Sequence, residues 1–148
     1  MSYLVDTNFL LRLAQSTSPL QQYARNAYST LRSQGEILTI VPQNVVEFWA
    51  VATRPVNANG LGLSIDLASG ELTQMKQLFV LQPDTPEILP IWEQLVIAHQ
   101  VMGKQVHDTR LVAAMLVHQI SHLLTFNTND FKRFTEITTV DPREISGS

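Results

Sequence analysis

Cysteine is missing from this chain. Its absence excludes disulfides, thiolate zinc sites and cysteine nucleophiles, although it names no compartment. Also missing is any apolar run of the ~18 residues that a membrane crossing requires. The opening stretch, MSYLVDTNFLLRL, lacks a basic region followed by a long apolar segment. Together these absences lead us to expect a soluble, cytoplasmic protein without membrane contact. No repeat, low-complexity segment or linker divides the 148 residues, so one domain over residues 1–145 is expected, with 146–148 as a disordered tail. Charge is sparse at 16%, against 45% hydrophobic residues, which is a globular composition. The chain also lacks a basic excess. Its formal net charge of −3 argues weakly against a nucleic-acid partner. That argument weakens further if several acids are neutralised by a cation. Arg54, Lys104, Arg110, Lys132 and Arg133 would then remain for phosphates.

What is present alternates between two periods. Tyr3-Leu4-Val5 reads as a first strand ended by Asp6-Thr7-Asn8, with a helix following at Phe9. Residues 19–33 carry apolar residues at helical spacing, and Gly35 stops them. Ile37 to Val41 is a β-branched strand. Pro42 suits the first turn of a helix over Gln43 to Thr53. Arg54 to Ser64 is loop-like. A helix over 65–77, a short strand to Leu81, a helix from Pro86 to about Met102, a helix over 108–119 and strands at Leu123–Phe126 and Ile137–Val140 complete the pattern. Alternating strands and helices predict a three-layer α/β sandwich around a mainly parallel sheet.

Four acids stand out: Asp6, Glu47, Asp108 and Asp130. Asp6 ends a strand, where open α/β sheets bind ligands, but it is also a good helix N-cap. Glu47 is set among Val45, Val46, Phe48, Trp49, Val51 and Ala52, so it is expected on a largely buried helix, where a carboxylate needs a partner. The alternatives are a narrow solvated stripe or a pair with Arg54. Asp108 opens the helix DTRLVAAMLVHQ on its apolar stripe; capping is again the alternative. Asp130 follows a buried strand in a segment rich in Asn and Thr, which also suits a plain turn. Carboxylates gathered at element ends match the hard oxygen ligands that Mg²⁺ and Mn²⁺ prefer.

The histidines offer less. His118 and His122 are four apart, but Gln119 stands where a zinc protease motif needs Glu. His99 and His107 have no evident partner, and Trp49, Trp92, Phe79 and Phe131 read as core anchors and not as a base-stacking platform.

Asp6-Thr7-Asn8, the lone Glu47, His107-Asp108-Thr109 and the run Thr125–Asp130 together resemble the PIN-domain family, most nearly the VapC-type ribonuclease toxins of bacterial toxin–antitoxin pairs. The resemblance spans nearly the whole chain. It implies a five-stranded sheet in the order 3-2-1-4-5 and a metal-dependent endoribonuclease. Asp6, Glu47, Asp108 and Asp130 would be its catalytic and metal-holding residues, using Mg²⁺ or Mn²⁺. Thr7, Asn8, Thr125 and Asn127 would support the site. It further implies an RNA substrate, a homodimer and a cognate antitoxin, with the Arg54–Ser64 loop as a variable clip. Two other readings stand beside it. One is a phosphohydrolase with Asp6 as nucleophile, since Asp6-Thr7-Asn8 resembles the haloacid-dehalogenase DxD pattern with Asn8 in place of the second acid. The other is a PIN-like module that binds RNA or protein without cutting.

Overall fold

The computed structural model describes residues 1–145; the expected tail at 146–148 lies outside the described residues. Five short strands form one sheet: β1 (Ser2–Val5), β2 (Ile37–Ile40), β3 (Val80–Leu81), β4 (His122–Leu124) and β5 (Thr138–Val140). Their order is 3-2-1-4-5, and every pairing is parallel. Six helices cover its two faces: α1 (Thr7–Ala14), α2 (Gln21–Ser33), α3 (Pro42–Ala52), α4 (Ile65–Leu78), α5 (Ile88–Ala98) and α6 (Gln105–Val117). None of them is long and apolar enough to cross a membrane.

Successive strand side chains point to opposite faces, and β1 divides the core accordingly. Leu4 and its register partner Leu123 pack with Leu95, Leu111 and Met115 from α5 and α6. Val5 and its partner Leu124 pack on the other side with Phe9, Leu10, Ala24, Phe48 and Met75 from α1 to α4. Each fully buried Val, Leu or Phe side chain among them contributes about 1.5–3 kcal/mol relative to exposure. The edge strand β3 has only two residues, which limits its use as a template for stray pairing.

The chain leaves the sheet in opposite directions from β1 and β4, the neighbours at its centre, and this opens a crevice beyond their carboxyl ends. The ladder continues one residue past each strand. The Asp6 N–H donates to the Leu124 carbonyl at 2.9 Å, and the Thr125 N–H donates to Val140 at 3.0 Å. Asp6 and Thr125 therefore stand side by side at the crevice floor.

Two expectations need correction. α6 begins at Gln105, three residues before Asp108, and α5 stops at Ala98. The chain reverses between them through Gln100 and Gly103, both at positive φ. Asp108 thus lies inside the first turn of α6 and is not its cap. α3 is also not buried all round: Asn44, Phe48 and Ala52 form one buried row, while Val46 is 69% exposed. Its apolar composition suggested burial that the packing does not provide.

The loop after α3 is tied back to that helix. Leu61 and Leu63 donate to the carbonyls of Val51 and Ala52, and Gly62 donates to Arg54. At Gly60 the two chain segments come so close that a Cβ would collide with the Arg54 main chain, whereas at Gly70, within α4, a Cβ meets nothing. Gly60→Ala is therefore expected to lower the melting temperature and open the loop to proteolysis at Arg54. Gly70→Ala should stabilise by about 0.5–1 kcal/mol in urea titrations.

Candidate metal-binding active site

Four elements carry the four acids to the crevice. Asp6 sits at the junction of β1 and α1 and is only 7% exposed. A charge so placed needs compensation. Its Oδ1 accepts the Thr7 N–H at 2.8 Å, and its Oδ2 accepts the Thr125 hydroxyl at 2.8 Å and the Asn8 amide at 3.3 Å. Asn8 also donates to the Thr125 hydroxyl oxygen, and its own carbonyl accepts the Phe126 N–H. Asp6 is thus an N-cap and a site carboxylate at once; the two readings are compatible.

Glu47 reaches the crevice from α3. Thr7 donates its hydroxyl to one carboxylate oxygen at 2.7 Å, and Gln43 donates to the other at 3.1 Å. Arg54 is not among its partners. Gln43 also donates to the His107 carbonyl at 2.7 Å and accepts from Arg110, so it ties α3 to the first turn of α6. Asn44, fully buried, accepts from the Val41 N–H and donates to the Val5 carbonyl and to Thr7. Sequence reasoning passed over both residues. Gln43 was legible in principle, because it stands one helical turn before Glu47 on the same face. Asn44 carried no signal beyond being polar in an apolar segment.

Asp108 and Asp130 line the open side of the crevice with Lys104, Gln105 and His107, around a space of about 380 Å³. Asp130 is exposed, on a 3₁₀ turn over Thr128–Phe131. Asn127 contributes its backbone N–H, to the Thr125 hydroxyl at 3.0 Å, while its side chain is exposed and does not cap the turn.

The carboxylates feel one another. Burial is the main cause that pushes Asp6 up to about 6, and the charges of Glu47 and Asp130 add to it against the opposing Thr125 and Thr7 hydrogen bonds. Burial likewise leads for Asp108, which is pushed up to about 7, with Asp6, Asp130 and Glu47 adding and Lys104 opposing. Facing one crevice is not the same as closing on one point. Among the described residues, no three His, Asp or Glu side chains stand in ligating arrangement. The donor set nevertheless fits a hard divalent cation: every candidate ligand is an oxygen, and the mutual repulsion is what such a cation relieves.

Residues 3–137 match the sequence model of the PIN domain. This chain belongs to the PIN-domain family. No curated protein sequence is similar enough to count as a match. Among solved structures, VapBC2 from Rickettsia felis, bound to a DNA fragment from its promoter, is similar with a TM-score of 0.75 at 12% identity, covering 95% of this chain and 98% of that one. VapBC-1 from nontypeable Haemophilus influenzae gives 0.72 at 15% identity, covering 97% and 100%. VapC20 from Mycobacterium tuberculosis, a sarcin–ricin-loop-cleaving toxin, gives 0.59 at 15%, covering 82% and 86%. These likenesses concern the fold.

In this PIN domain three of the four histidines are engaged elsewhere, and His107 lines the crevice. His99 meets Glu136 at 3.0 Å, His118 meets the Pro83 carbonyl, and His122 meets the Ser121 hydroxyl.

The raised carboxyl groups set a pH dependence. Unfolded, Asp6 and Asp108 titrate near 4. Between about pH 4 and 7 the folded protein therefore binds more protons than the unfolded chain, and stability falls as pH rises through that window. The cation-free protein should melt at a higher temperature at pH 5 than at pH 8. Asp108→Asn should reduce that difference, as calorimetry with EDTA present would show. An unchanged difference in the variant would contradict the mutual repulsion.

Proposed function

We propose that this PIN-domain chain is an endoribonuclease dependent on Mg²⁺ or Mn²⁺, and the toxin of a toxin–antitoxin pair. The observation that carries the reading is the set of four acids directed at one crevice at the switch point of a PIN fold. The solved neighbours support it: besides the VapBC proteins, one is a toxin–antitoxin complex from Klebsiella pneumoniae and one a sarcin–ricin-loop-cleaving toxin. An antitoxin and a second copy of the chain are the partners proposed on the same footing.

Asp6, Glu47, Asp108 and Asp130 would hold the cation. Once bound, it supplies Lewis acidity at the phosphate and lowers the pKa of water in the crevice. The chain's own groups divide the remaining work. Asn8 and Thr125 fix the Asp6 carboxylate, and Thr7 and Gln43 fix that of Glu47. Lys104 lies at the open side, where it offsets phosphate charge as the substrate enters. No histidine is needed as a base.

The competing phosphohydrolase reading asks Asp6 to attack phosphorus. Both of its oxygens are engaged by hydrogen bonds, in a nearly buried position, which suits a ligand better than a nucleophile. The non-cutting reading has no observation in its favour and is left to experiment.

Incubation of the protein with total RNA and Mn²⁺ should give cleavage that EDTA abolishes. Asp108→Asn should lose at least about 100-fold in rate, since the cation contributes several kcal/mol to the transition state, while its circular dichroism stays native. Wild-type cleavage by that variant, or RNA binding without cleavage by the unaltered chain, would refute the proposal.

A further inference from the structure

A second cavity opens beside the carboxylate crevice, and nothing above uses it. It encloses about 480 Å³ between the start of α5 and the first turns of α6. Pro86, Leu89, Trp92 and Val106 give it apolar walls, and His107 and Arg110 supply its polar rim. His107 lines this cleft and the crevice alike, and Asp108 is the next residue. The two spaces are therefore adjacent, with His107 as a shared wall.

Its groups are held in place. The Trp92 indole N–H donates to the Val106 carbonyl at 2.8 Å, which leaves ring carbons and not a polar edge for a ligand. Arg110 meets Asp84 at 3.3 Å and donates to Gln43, the residue that donates to Glu47. A concave apolar pocket with a few fixed polar groups is the usual form of a site for a small planar ligand. Leu89 is 66% exposed within it.

We infer that this cleft is a subsite for one unstacked nucleobase of the substrate, next to the phosphate held at the carboxylates. The inference rests on the nuclease reading above and names the part of the substrate that this face takes. In a nucleotide, the planar, apolar-faced group beside the phosphate is the base, and aromatic side chains bind it largely without regard to sequence. Cationic groups at the mouth, Lys104 and Arg110, suit a ligand that carries phosphate. A second copy of the chain is the rival occupant. Ile97 and Met102, also exposed, do not line the cleft. Trp92 packs against the core, as the sequence suggested, and also lines this pocket.

The chain has two tryptophans, so their indole N–H signals can be followed singly in proton–nitrogen correlation spectra, with Trp49→Phe to assign them. The full chain with Mg²⁺ would be titrated with AMP, GMP, CMP, UMP and ribose 5-phosphate. At least one nucleotide should shift the Trp92 signal saturably while ribose 5-phosphate does not, and Leu89→Glu should weaken that binding at least about tenfold. A Trp92 signal that ignores all four nucleotides, or follows ribose 5-phosphate equally, overturns the inference. So does a signal that moves only with protein concentration and becomes that of a monomer in Leu89→Glu, because the cleft would then be covered by a second copy. RNA cleavage with a silent Trp92 removes the subsite alone. Nucleotide binding at Trp92 without any RNA cleavage removes the nuclease reading and leaves the cleft as a nucleotide site.

Discussion

A carboxylate held almost out of water at the end of the central strand is the constraint on which the rest of the structure depends. Asp6 gains a backbone N–H, a hydroxyl and an amide, yet burial and the neighbouring acids still outweigh them and keep it near 6. The partners are drawn from places that only this topology brings together. Thr125 lies 119 residues away in sequence, and it reaches Asp6 because β1 and β4 are paired in parallel register. A different strand order would leave Asp6 buried and poorly compensated. The polar network therefore helps specify the fold as well as the site.

Rigidity is uneven across the crevice. Asp6 and Glu47 have both carboxylate oxygens engaged, and Asn44 locks the Thr7 hydroxyl and the start of α3 beneath them. Asp108 and Asp130 line the open side; Asp108 is half-buried, as Glu47 is, and Asp130 is exposed. Such a division leaves the carboxylates of the open side freer to adjust than those at the crevice floor.

The strands and most helix bodies were legible because each is marked by its period and its punctuation: Gly35 after α2, Pro42 opening α3, the β-branched run of β2. The start of α6 was not, since Gln105-Val106-His107 carries neither a capping residue nor an apolar stripe, and Asp108 imitates a cap. The buried extent of α3 was overread because composition says how apolar a helix is, not how much of it finds a neighbour; Val46 finds none. The four acids were visible as residues, and only their order along the chain suggested a common destination. Gln43, Asn44 and the cleft beside Trp92 are products of packing between distant elements. The spacing of residues within one element does not encode such contacts.

The weakly acidic composition does not oppose a polyanionic substrate once charge is considered by location. Four of the thirteen Asp and Glu residues face the crevice. Their ionisation repels phosphate and one another, and that repulsion adds to burial, the larger cause, in raising Asp6 and Asp108. A divalent cation would offset about half of that negative charge. It also draws the acids to their ionised forms, so cation binding should release protons below about pH 7. Lys104 also lines the open side, so the repulsion that a phosphodiester meets there would fall. The net charge of the chain is therefore the wrong quantity for judging its partners. The charge that a substrate meets is set locally, by the groups that line the crevice.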